Sequence, residues 1–104
     1  MKEVLLNIIL SHFEVNKADL FNPKITRGIP AEARMMLFYL SYKNISDNKK
    51  AIADMWKRKS ANSIRHAVEQ ADYFITIKHL SFTNNLTICQ GKIDSYVEQQ
   101  RKIK

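Results

Sequence analysis

Glycine and proline are scarce in this 104-residue chain, two of each, and cysteine occurs once. So few turn-formers exclude the repeated tight reversals of an all-β sandwich or barrel. The lone Cys89 allows no internal disulfide, which fits a reducing cytoplasm, and a single thiol ordinarily packs as a small hydrophobe. There is no Gly-rich phosphate loop and no His-x-x-x-His or Cys-x-x-Cys spacing, so neither a nucleotide-driven motor nor a metal site is indicated. Long hydrophobic runs are missing as well. The apolar stretch Val4 to Leu10 contains Asn7 and follows Glu3, which suits neither a signal peptide nor a membrane span. The length leaves room for one domain with one core. The expectation is a cytoplasmic, all-α domain over residues 1–104, a small bundle of about five helices with no cofactor, small-molecule substrate or membrane partner.

Charge is present in excess and unevenly spread. Lys and Arg outnumber Asp and Glu, 17 to 10. Between Lys49 and His66 stand Lys49, Lys50, Lys57, Arg58, Lys59 and Arg65, opposed only by Asp54, so 18 residues hold a net +5. A concentrated basic patch attracts polyanions by releasing their condensed counterions. Nucleic acid is therefore the leading partner and an anionic membrane surface the second, with a merely solubilising surface as the plain alternative.

Apolar residues recur at helical spacing. Val4, Leu5, Ile8, Ile9 and Phe13 share one face of a helix over Lys2 to Phe13. Asn16 is placed to cap a single turn anchored by Leu20 and Phe21. Asn22 to Gly28 holds both Pro and Gly and reads as a loop, carrying Lys24 and Arg27. Pro30 suits the first turn of a helix reaching Lys43, with Ala33, Met36, Leu37, Tyr39 and Leu40 inward and Asn44 to close it. Ser46 and Ser60 are the candidate N-caps of two further helices, Asp47 to Trp56 and Ala61 to Lys78. The second has Ile64, Ala67, Val68, Ala71, Phe74 and Ile75 on its apolar arc. A last helix, about 82–101, carries Phe82, Leu86, Cys89, Ile93 and Val97, weakened at Gly91.

The segment 46–79 thus has the layout of a helix-turn-helix, whose second helix enters the major groove by its N-terminal end. Its outer face offers Asn62, Ser63, Arg65 and His66 as candidate base readers, since Asn pairs with adenine and Arg with guanine. Lys57, Arg58 and Lys59 precede it where phosphates would pass, and Lys24 and Arg27 are further candidates for phosphate contact.

From Val4 to Phe74 the chain also resembles the C-terminal DNA-binding domain of the bacterial replication initiator DnaA, a TrpR-like helix-turn-helix. The resemblance runs through Ile9-Leu10-Ser11-His12-Phe13 and Val15-Asn16-Lys17-Ala18-Asp19-Leu20, then the basic loop Pro23-Lys24-Ile25-Thr26-Arg27. It continues through Ala33-Arg34-Met35-Met36-Leu37-Phe38-Tyr39-Leu40, Ala51-Ile52-Ala53-Asp54-Met55-Trp56 and Ile64-Arg65-His66-Ala67. It implies a DNA-binding fold and a regulator of replication or transcription in a bacterium, phage or mobile element. The family's base-reading signature is replaced: Lys57-Arg58-Lys59 stands where the family has Gly-Gly-Arg, and Ser60-Ala61-Asn62-Ser63 where it has Asp-His-Thr-Thr. Ser63 and His66 match the family, and the place of its minor-groove arginine falls on Ile25. These departures favour the alternative of a protein-interaction module, a homodimer included, that keeps the fold without sequence-specific DNA recognition. Tyr42, Tyr73 and Trp56 would then be its anchors, although Trp56 also suits the core. Catalysis is not indicated: His12, His66 and His79 are scattered, and Ser63 with His66 is an ordinary i, i+3 pair.

Overall fold

A computed structural model describes residues 1–103 as six helices and no strand. They are α1 (Lys2–Phe13), α2 (Lys17–Leu20), α3 (Ile29–Asn44), α4 (Lys49–Met55), α5 (Asn62–Thr76) and α6 (Leu80–Ile103). The count of six, against about five expected, includes the single turn α2.

The arrangement follows from α3. Its run Met36 to Ser41 is buried at every consecutive position, and Ala33 is fully buried one turn earlier. A helix buried around its whole girth has neighbours on all sides. Here α1, α2, α4 and α5 pack around α3, and α6 closes the bundle across α1 and α5. Leu5, Leu6 and Ile9 enter this core from α1, Ile52 and Ala53 from α4, Ile64, Ala67, Val68 and Ala71 from α5, and Phe82, Cys89 and Ile93 from α6.

Local signals set most boundaries. Asn16 caps α2, its side chain accepting from the Asp19 N–H at 2.8 Å. Pro30 stands in the first turn of α3, behind Gly28 at φ +82°. Two expected caps are displaced. Asn48, not Ser46, caps α4 by accepting from the Ala51 N–H, while the Ser46 hydroxyl accepts from the Asn48 N–H one step earlier. Ala61 is the cap residue of α5 and Ser60 accepts from the Asn62 N–H, so the helix begins at Asn62 and ends at Thr76, two residues short of Lys78. Ile75 is 38% exposed rather than inward, because α5 meets its neighbours along the narrower Ile64/Ala67/Val68/Ala71 stripe. Helix α6 starts before residue 82 and passes Gly91 unbroken; that position is open to solvent, so packing neither needs nor forbids a side chain there.

Candidate nucleic-acid interface

The segment expected to form a helix-turn-helix comprises α4, the connection 56–61 and α5. Helix α4 stops because Lys57 adopts the left-handed conformation, φ +56°. The Lys57 N–H then bonds to the Asp54 carbonyl at 3.2 Å, and the Arg58 N–H reaches the Ala53 carbonyl at 2.7 Å. This pair of bonds is the Schellman closure, in which glycine usually occupies the left-handed position. A lysine fills that position here, which explains how the turn forms without a glycine.

Trp56 fixes where the turn sits. Its Nε1–H donates to the buried Ser41 hydroxyl at 2.9 Å, and that hydroxyl donates in turn to the Leu37 carbonyl at 2.7 Å. The indole also stacks on Phe21, with centroids 5.9 Å apart. Trp56 is therefore a core residue, and this hydrogen-bonded link ties the end of α4 to α3.

The three basic residues of the turn do not behave alike. Lys57 and Lys59 are exposed. Arg58 instead folds back: its guanidinium lies 5.2 Å from the Phe38 ring centroid, and Nε is sealed from solvent with no hydrogen-bond partner among the described residues. Burial depresses its pKa, because a desolvated charge is disfavoured. Sequence pattern placed Arg58 alongside its neighbours on the outer surface; the aromatic face of α3 draws it inward.

The basic loop is held by a residue that sequence reasoning passed over. Arg34 of α3 donates from Nε to the Leu20 carbonyl at 2.7 Å, and from its terminal nitrogen to the carbonyls of Asn22 (3.1 Å) and Ile25 (2.7 Å). One guanidinium thus satisfies three carbonyls across the start of the loop that carries Lys24 and Arg27, both exposed. Burial, and then the nearby charge of Arg58, lower its pKa. The available sign was a lone arginine in an apolar helical stripe.

Pinned in this way, the loop faces α5 across a cleft of about 500 Å³. Thr26, Arg27 and Gly28 line one wall, Ser63, His66 and Gln70 the other, with Arg34, Phe38 and Arg58 also lining it. Asn62, Ser63, Arg65 and His66 are all exposed, while Ile64 among them and Ala67 after them are buried. Asn62 and Arg65 hydrogen-bond to each other, so contact with a base would require them to exchange partners. Among the described residues Asp54 pairs with Lys50 at 2.6 Å, and no acidic side chain forms an ion pair with Lys24, Arg27, Lys57, Arg58, Lys59 or Arg65.

Among the described residues no three His, Cys, Asp or Glu side chains gather as metal ligands, and no helix is long and apolar enough to cross a membrane. Comparison with known proteins returns no match to a family model, a curated protein or a solved structure.

Proposed function

We propose that the protein binds double-stranded DNA, with α5 as the helix that enters the major groove. The observation carrying this reading is the cleft just described: the exposed N-terminal half of α5 stands opposite a loop carrying Arg27, and Arg27, Arg34 and Arg58 line the cleft against one acid, Glu32. A B-form major groove about 12 Å wide accepts a helix whose diameter with side chains is about 10–12 Å. Lys57 and Lys59 would meet phosphates before the helix, and Lys24 and Arg27 would do so from the loop. Arg58 supports the cleft from within and adds its charge there. Asn62, Ser63, Arg65 and His66 would face base edges. The sequence resemblance to the DnaA DNA-binding domain agrees with this docking, while its altered signature carries over none of that family's target sequence. A regulator of replication or transcription would use such a module.

The test is fluorescence anisotropy with a random-sequence duplex over a range of salt. Each phosphate contact contributes about 0.9 to the slope of log affinity against log salt. Replacing Arg27, Lys57 and Lys59 together by alanine should flatten that slope by roughly 2.7 and weaken all sequences alike. Absence of binding by wild type at micromolar protein and low salt would end the DNA reading.

One observation favours a second reading, a protein-interaction module. Tyr73, Ile77 and Leu80 are 57%, 50% and 72% exposed where α5 turns into α6. They lie about 20 Å along α5 from its DNA-facing end, so the two surfaces could serve one molecule. Sedimentation of the isolated protein, and of a Leu80→Ser variant, would report self-association through that corner.

A further inference from the structure

The chain's single tryptophan lies beside a second cleft, which joins segments far apart in sequence. Lys2, Glu3 and Leu6 of α1, Lys17 of α2, Phe21 and the Met55–Arg58 segment surround about 360 Å³. Arg58 borders this hollow as well as the cleft beside the basic loop. The Lys57–Lys59 corner is therefore a ridge with a cationic hollow on either side.

Lys2, Lys17, Lys57 and Arg58 converge on the second hollow against one acid, Glu3, and none of the four forms an ion pair among the described residues. Trp56, locked by Ser41 and Phe21, supplies a rigid wall. The Lys2 ammonium sits 5.3 Å from the indole centroid. An aromatic face holds a cation through its quadrupole and supplies no counter-ion. A carboxylate would have positioned the ammonium and cancelled it. Lys2 is thus steered toward the hollow with its charge still available.

The geometry points to this hollow as a seat for a backbone phosphate of duplex DNA, on the side of the ridge away from the basic loop. The inference rests on the DNA-binding reading and extends it to α1 and α2. A helix lying in a major groove has one sugar–phosphate backbone on each side. The Lys57–Lys59 corner that leads into α5, with a cationic hollow on either side, is complementary in charge to both backbones. The loop cleft would serve one backbone, while Lys2 and Lys17, with Lys57 at the rim, would serve the other. Charge complementarity selects a polyanion as the occupant.

The experiment uses the full chain, a random-sequence duplex, and the variant Lys2→Gln/Lys17→Gln. Its charge-matched control is Lys92→Gln/Lys102→Gln on α6. The α1/α2 variant should lower the salt slope by about 0.9, the share of one phosphate, and Lys17→Gln alone, which leaves the Lys2–Trp56 contact intact, by less. The control should keep the wild-type slope. Trp56 emission should change when wild type binds duplex, because a phosphate in the hollow draws Lys2 off the indole, and should change much less in the double variant. An unchanged slope in the α1/α2 variant, with the Arg27/Lys57/Lys59 variant flattened, overturns the second seat and leaves DNA binding standing. Equal loss in variant and control overturns it too, as an effect of net charge alone. Failure of wild type to bind any duplex removes the DNA reading and this seat together.

Discussion

Replacing Lys57 by glycine should make the protein more stable while weakening the DNA binding proposed above. The two effects have separate physical origins. At φ +56° the lysine Cβ crowds the following carbonyl, a cost of about 1–2 kcal/mol for a residue other than glycine. Glycine removes that cost but loses more backbone entropy on folding, about 0.5–1 kcal/mol. The net gain is about 0.5–1 kcal/mol, or roughly 2–8 °C in Tm for a domain of this size. The two Schellman hydrogen bonds remain, since both come from backbone groups. The lost ammonium should reduce the salt slope of DNA binding by about 0.9. Lys57→Ala separates the terms, because it keeps the left-handed strain and loses the same charge; it should match glycine in binding and melt lower. Lys78 is left-handed at φ +57° at the end of α5, so Lys78→Gly should raise Tm with the slope unchanged. Melting followed by circular dichroism, with anisotropy titrations, reads all three variants. If Lys57→Gly melts no higher than Lys57→Ala, the turn stores no strain and the account of how α4 stops is wrong.

Arg34→Met should cost about 2–4 kcal/mol, since three carbonyls lose a charged donor, and should weaken duplex binding by releasing Lys24 and Arg27. Hydrogen exchange should accelerate at the Ile25 amide, which bonds to the Asn22 carbonyl within that loop; unchanged protection there would refute the clamp. Ser41→Ala should cost about 1–3 kcal/mol by leaving the Trp56 N–H buried without an acceptor. Adding Trp56→Phe should then cost less than it does in wild type, and strict additivity in that cycle would deny the coupling. Burial among apolar groups pushes the Cys89 thiol up to about 11. A thiol-specific reagent should therefore label it only when the protein unfolds. Because its folded pKa lies above the unfolded one, its contribution is complete below the unfolded pKa and is lost as pH rises toward about 11. Wild type should lose stability in that window relative to Cys89→Ala, by at most about 2–3 kcal/mol. Parallel alkaline profiles would refute the assignment.

Much of the candidate site was legible in the sequence, and its misreadings share a cause. The outward set Asn62, Ser63, Arg65 and His66 follows from the period of α5, because Ile64 and Ala67 must face inward and the residues before and between them cannot. Arg58 was misplaced because periodicity fixes where a Cα stands on a turn, while a long flexible side chain goes wherever a partner lies. Phe38 is that partner, and it is 20 positions away in the chain. Ile75 was misread because the width of a buried stripe depends on how closely neighbouring helices approach, which the helix's own sequence does not encode.

Short-range patterns were sufficient for the helices themselves: apolar spacing, the Asn16 cap, Pro30 opening α3, and the basic run before α5. These features act between residues within a few positions of one another. Packing alone decided that α3 is buried on every side, that Arg34 gathers three carbonyls, and that Lys2 and Lys17 stand beside Lys57. Each of these depends on contacts between distant segments, which come into being only when the helices close around a shared core.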